Sequence, residues 1–260
     1  MRTPAFTLIS LVLTSAAFAA VQTKTIEYKV GDQTHEGFLA WDDSQNAQKP
    51  GVIVIHEWWG NDDYSRSRAR QLAELGYVGF AIDMYGKGKT TSDAKQAAAW
   101  SGEIKKDPAR AQALLKAGLD TLKQQPQVDG RRIAAIGYCF GGGMALNTAR
   151  WGMGPSAVVS FHGDLSNAAP QKDIKKIDAK ILVCHGAADT FVPQEQLDEF
   201  LREMAKAGAD VQVEVYPDAQ HSFTNPGVDK HGLKGAKYNE AADRKSWEDM
   251  KAFLRKVFNQ

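Results

Sequence analysis

The sequence predicts an α/β fold: a mostly parallel central sheet with helices on both faces and an antiparallel hairpin at its N-terminal edge. Three observations carry this expectation. Runs such as Gly51-Val-Ile-Val-Ile55 and Ile133-Ala-Ala-Ile136 are apolar without the polar alternation of a half-exposed strand, as strands buried on both faces are. Segments with helical spacing fall between such runs, which is the strand-helix-strand rhythm of a parallel sheet. With 260 residues, 43% apolar and 24% charged, the chain can bury the core of one large domain.

The first nineteen residues stand apart. Met1-Arg2-Thr3 is a short positive start, Ala5 to Ala17 is mostly apolar, and Ala17-Phe18-Ala19 has the small-x-small form of a cleavage site. The expectation is a signal peptide over 1–19, export to a periplasmic or secreted location, and a single domain over 20–260. The apolar stretch is shorter than the roughly 20 residues of a membrane span, so none is expected in the mature chain. A net charge of +1 gives no argument for nucleic acid as a partner. The mature chain is expected to act as a monomer on a small molecule.

The elements follow in order. Thr25 to Val30 and Thr34 to Ala40 alternate around Gly31-Asp32, a hairpin pattern. Gly51 to Ile55 is a doubly buried strand that ends in His56-Glu57-Trp58-Trp59-Gly60. Ser65 to Leu75 is helical and stops at Gly76. Tyr77 to Met84 is the next strand, and Thr91 to Lys105 is an alanine-rich helix. Asp107-Pro108 reads as an N-cap and first-turn proline that begin a second helix, to about Lys123. The strand at Ile133 to Ile136 then runs through Gly137-Tyr-Cys139-Phe-Gly141 into a small-residue helix around Met144. Ala157 to Phe161 and Ala179 to Cys184 are further strands, Gln194 to Ala207 is an amphipathic helix closed by Gly208, and Val211 to Tyr216 is the last strand. Ala236 to Phe258 is read as a C-terminal helix.

Ligands of such sheets bind outside the carboxyl ends of the strands, so residues just past strand ends matter most. Gly137-Tyr138-Cys139-Phe140-Gly141 is a G-x-S-x-G strand-to-helix turn with cysteine in the serine position. Its glycines let strand and helix approach, and the helix N-terminus favours a thiolate. Taken alone, the same pattern fits an inert cysteine in a glycine-rich turn. A nucleophile needs a base, and the base an orienter. The strand ending at Cys184 runs into Asp189, and the strand ending at Tyr216 runs into His221. These three placements favour catalysis over the alternatives of Asp189 as a turn residue and His221 as a loop histidine. The backbone amides of Trp58 and Phe140 are the candidate oxyanion donors. His162 and His185 are read as structural, and Cys184 as a small buried hydrophobe.

His56-Glu57-Trp-Trp-Gly60, Asp83-Met-Tyr85, Gly137-Tyr-Cys-Phe-Gly-Gly142, His185-Gly-x-x-Asp189 and His221-Ser-Phe223 together resemble the dienelactone hydrolase (carboxymethylenebutenolidase-like) family of α/β-hydrolases, over Gly37 to Phe258. The resemblance implies the α/β-hydrolase fold, a Cys139-Asp189-His221 triad, and neither metal nor organic cofactor. It also implies that Glu57 accepts a hydrogen bond from the resting thiol and yields when substrate binds. Trp59, Tyr85 and Ser222 are candidate substrate-binding residues. So are Lys87 and Asn225, at positions where well-known members carry arginines that hold a substrate carboxylate. Lysine keeps the charge without the bidentate fork, and asparagine loses the charge, so the resemblance does not carry dienelactone itself as the substrate. The expected activity is hydrolysis of an ester, lactone or thioester through a cysteine acyl-enzyme. A thiol redox or peroxide-reactive protein, or a non-catalytic binding module on the same fold, are the alternatives.

Overall fold

The switch from alternating to uninterrupted apolar sequence marks where the sheet goes from its edge to its centre. In the computed structural model, which describes residues 21–44, 47–167 and 176–259, β1 (Val21–Val30) and β2 (Gln33–Asp42) form the antiparallel hairpin, and β2 pairs antiparallel with β4 (Val78–Ile82). The segment read as a signal peptide lies outside the described residues. β3 (Lys49–Ile55), β4, β5 (Val128–Tyr138), β6 (Ala157–Phe161), β7 (Lys180–Gly186) and β8 (Asp210–Tyr216) are parallel, and the sheet order is β1-β2-β4-β3-β5-β6-β7-β8.

That order places the site. From β3 the chain crosses through α1 (Asp63–Glu74) to β4 on one side. It then returns through α2 (Ala94–Lys106) and α3 (Pro108–Lys123) to β5 on the other. The direction of winding reverses between β3 and β5, and a crevice opens at the carboxyl ends where it does. Ile55 and Gly137 are paired in register, so the residues after β3 and the turn after β5 begin side by side.

Each face of the sheet has its own apolar layer. Along β3, Ile53 and Ile55 join Leu114, Leu115 and Leu146 of α3 and α4 (Phe140–Arg150), while Val52 and Val54 join Leu72 of α1 and Met250 and Leu254 of α6 (Glu240–Phe258). This is the period-2 alternation of a strand with both faces covered. Each such side chain, fully removed from water, contributes about 1.5–3 kcal/mol. α5 (Gln194–Lys206) completes the first layer with Leu197 and Phe200. Asp62, Asp93 and Asp107 cap α1, α2 and α3 by accepting from backbone amides in the first turn, and Pro108 stands at the start of α3 as the sequence suggests.

Boundaries differ where tertiary contacts decide them. α4 begins at Phe140, so Gly141 to Gly143 lie inside the helix rather than before it. α6 begins at Glu240, not Ala236, because Lys237 and Asn239 donate their amides to the His221 and Phe223 carbonyls, and Asn239 caps the helix instead. A 3₁₀ turn at Val228–His231 has no counterpart in the sequence reading. Among the described residues, no helix is long and apolar enough to cross a membrane.

Candidate active site

Cys139 sits between β5 and α4 with φ 53° and ψ −117°, a conformation that costs a non-glycine residue of order 1–3 kcal/mol. Its backbone is held on both sides. Its N–H donates to the Phe161 carbonyl and to His162 Nδ1, both at 3.1 Å, and its carbonyl accepts from the amides of Gly142 at 3.0 Å and Gly143 at 3.3 Å. The glycines are required by distance. A methyl on Gly137 would stand 1.9 Å from the Gly141 carbonyl oxygen, and one on Gly141 would stand 2.1 Å from that of Ile55.

His162 is the residue behind this turn. Because Nδ1 accepts from the Cys139 amide, the ring proton belongs on Nε2, 2.7 Å from Thr224 Oγ1, which lies 2.6 Å from the Tyr64 hydroxyl. Burial, with the neighbouring charge of His221 second, holds its pKa well below the ordinary value, so the ring stays neutral and keeps Nδ1 open as an acceptor.

Asp189 and His221 meet above the turn. Asp189 Oδ2 accepts from His221 Nδ1 at 2.8 Å, while Oδ1 accepts the amides of Phe191 at 2.8 Å and Val192 at 3.0 Å. The carboxylate is thereby fixed, and it fixes the tautomer of His221. Nε2 remains for Cys139, which lines the same cavity. Burial alone would lower the His221 pKa. The electrostatic influence of Cys139 and the bond to Asp189 outweigh it and push the value up to about 10.

A folded-state pKa raised above the ordinary 6.5 stabilises the native state fully below that pH, and the contribution is lost as pH rises through about 10. With Cys139 replaced by alanine, the largest upward influence disappears. The His221 resonance, followed by NMR on histidine-labelled protein, is expected to titrate near 10 in the native chain and distinctly lower in Cys139→Ala; equal values in the two proteins would contradict the coupling.

Glu57, on the turn after β3, is 2% exposed, and its two oxygens accept from Ser222 Oγ at 2.7 Å and Asn225 Nδ2 at 2.6 Å. Burial raises its pKa, and these two bonds oppose the rise. The resemblance implied a resting thiol bonded to Glu57. Here Ser222 and Asn225 hold the carboxylate.

Two supports hold the candidate oxyanion donors. Phe140 opens α4, so its amide is one of the donors a helix start leaves unpaired. The Glu57 carbonyl accepts from His56 Nδ1, and His56 Nε2 accepts the Met84 amide at 3.2 Å, which fixes the peptide unit carrying the Trp58 N–H. Tyr85 donates to the Trp58 carbonyl at 3.1 Å and so clamps the following peptide as well.

A cavity of about 290 Å³ opens over Cys139, Phe140, His221 and Ser222. Trp58, Phe191, Val192 and Leu233 form its apolar side, and Ser101, Lys105, Asp164, Ser166 and Gln196 its polar side. Four of the candidate substrate-binding residues are not in this lining. Lys87 is exposed and paired with Glu27. Trp59 is buried, stacked on His231 at 3.9 Å between ring centroids. Tyr85 and Asn225 act through Trp58 and Glu57. Sequence reasoning missed Asp164 and Lys105. Asp164 follows β6, so the rule of strand ends could have found it. Lys105 comes from the last turn of α2, and no motif flags it. Among the described residues, no group of three or more His, Cys, Asp or Glu side chains could hold a metal ion.

The model of the dienelactone hydrolase family matches residues 36–258. The chain belongs to that family. Its α/β-hydrolase fold accounts for the mostly parallel sheet, the flanking helices and the antiparallel strands at the start. The solved structure of m3DLH is 39% identical with a TM-score of 0.87, covering 92% of this chain and 99% of its own. That of P91, a dienelactone hydrolase-like promiscuous phosphotriesterase from metagenomic libraries, is 35% identical with a TM-score of 0.88 and the same coverage of both chains. The protein Usf of Aquifex pyrophilus is 31% identical over 68% of this chain and 77% of its own.

Proposed function

We propose that this dienelactone hydrolase family member cleaves a carboxylic ester, lactone or thioester through an acyl-enzyme on Cys139. The observation that carries the reading is that His221, held by Asp189, lines the same cavity as Cys139, which stands on a strained turn. The Cys139 sulfur attacks the carbonyl carbon, and its proton resides on His221. The carbonyl oxygen takes up negative charge against the Phe140 and Trp58 amides. On collapse the bond to the leaving alcohol or thiol breaks, and His221 delivers the proton to it. Water, deprotonated by His221, then attacks the thioester and restores the thiol. Asp189 holds the imidazole throughout. Glu57, held by Ser222 and Asn225, stands near enough to His221 for the two to interact electrostatically.

The test is intact-mass analysis after brief exposure to a panel of aryl esters, lactones and thioesters. A mass increase equal to one acyl group, mapped to Cys139, is the expected result; turnover without any adduct on Cys139 would sink the mechanism. Phosphotriesters belong in the panel as a second class of electrophile, since P91 at 35% identity is a promiscuous phosphotriesterase. A thiol redox role would need a partner thiol. The other cysteine, Cys184, is fully buried, bonded to the Tyr216 hydroxyl, and its pKa is driven up by burial.

A further inference from the structure

The polar side of the cavity is built around an ion pair. Lys105 Nζ, from the last turn of α2, donates to Asp164 Oδ2 at 2.6 Å, and Asp164 Oδ1 accepts from the Ser166 amide at 3.0 Å and the Ser166 hydroxyl at 2.6 Å. The two side chains are 38% and 27% exposed, so the pair stands at the cavity surface rather than beneath it. Its charges cancel. Lys87 is tied to Glu27 outside the cavity, and Asn225 is neutral and bound to Glu57. Among the described residues lining the cavity, Lys105 and His221 are thus the only basic side chains, and each already faces a carboxylate.

We propose that the Lys105–Asp164 pair is the specificity element of this site, and that it selects uncharged esters or lactones bearing a hydroxyl group on the part that faces it. The chemistry of the pair decides between ligand classes. An ammonium has three N–H donors, of which Asp164 takes one, and Asp164 is an acceptor. A substrate hydroxyl can accept from Lys105 and donate to Asp164 at once. A carboxylate can only accept, and Asp164 repels it. An alkyl group leaves both partners as they are and gains nothing from that wall. A site built to hydrogen-bond a hydroxyl discriminates against analogues that lack it, whereas an apolar wall such as that of Phe191 and Val192 discriminates weakly.

The inference rests on the hydrolase reading above, and the experiment separates the two. Two matched series place the probe group on either side of the scissile bond: 4-ethylphenyl, 4-(hydroxymethyl)phenyl and 4-carboxyphenyl acetates, and the 4-nitrophenyl esters of heptanoic, 6-hydroxyhexanoic and adipic acids. kcat/KM values are normalised to the hydroxide-catalysed rate of each ester. The hydroxylated member of at least one series is expected to exceed both its alkyl and its carboxylate counterparts about tenfold. Lys105→Met is expected to bring the hydroxyl-to-alkyl ratio near one. Asp164→Asn, which frees the ammonium, is expected to raise the carboxylate-to-alkyl ratio about tenfold. Every readout is a ratio measured on one preparation, so a loss of folded enzyme cancels. A native preference for the carboxylate esters, or ratios that neither variant moves, would overturn the proposal. Absence of both turnover and a Cys139 adduct across all six esters would overturn the hydrolase reading, and this inference with it.

Discussion

Cys139→Ala is expected to lower ester turnover on the order of 10⁴-fold or more and to abolish the covalent adduct, with the fold intact. In the proposed mechanism the nucleophile is the one group that forms a covalent bond to the substrate, so nothing remaining can stand in for it. The residual rate would come from binding and the oxyanion donors alone. The fold is expected to survive because alanine has the same Cβ at φ 53°, and every hydrogen bond that holds the turn uses the backbone of residue 139. The check is steady-state hydrolysis beside circular dichroism and thermal unfolding. Activity near the native level would remove Cys139 from the mechanism. Loss of the native spectrum would instead show that the sulfur itself supports the turn. Cys139→Ser is expected to keep little activity, because its hydroxyl ionises far less readily than a thiol in the same cavity as His221.

Gly141→Ala is expected to damage stability and catalysis together. The added methyl would fall 2.1 Å from the Ile55 carbonyl oxygen and 2.5 Å from that of His56, both backbone atoms at the end of a central strand. A flexible side chain could turn aside; these carbonyls cannot move without shifting β3. The start of α4 would have to withdraw from β3 at a cost of about 3 kcal/mol. The same displacement would carry the Phe140 amide away from the Trp58 amide and so open the oxyanion site. Urea unfolding and kcat measured on the same preparation check the pair of effects. A change below about 0.5 kcal/mol, within the range of an ordinary surface substitution, would show that the helix start is softer than the contact implies.

The central strands, the helices between them and the meeting of Asp189 with His221 were legible because each rests on local chemistry. Uninterrupted β-branched runs report burial on both faces, and strand-end residues report the crevice. Asp189 and His221 could be singled out without any knowledge of their 2.8 Å contact. What could not be read is what depends on the path of other segments. Lys87 follows a β-strand as a substrate-binding residue should, yet Glu27 of the N-terminal hairpin lies beside it and takes its charge. Trp59 sits next to Trp58 in sequence but packs under the 3₁₀ turn against His231. Residues 236–239 have a helical composition, but they are drawn into hydrogen bonds with the histidine loop. Lys105 enters the cavity from a helix, which no strand-end rule anticipates. His162, read as structural, is structural in a particular sense, since it supports the strained backbone of Cys139.

The proposed triad is drawn from strands of unequal standing. Cys139 and the Trp58 loop hang from β5 and β3, which are buried along nearly their whole lengths, whereas His221 follows β8, the outermost strand, whose residues are mostly partly or fully exposed. Opening of an edge strand requires far less than global unfolding. In the proposed mechanism the base is then expected to leave register before the nucleophile does. On gentle heating, activity is expected to fall before the core melts and to return on cooling without refolding of that core.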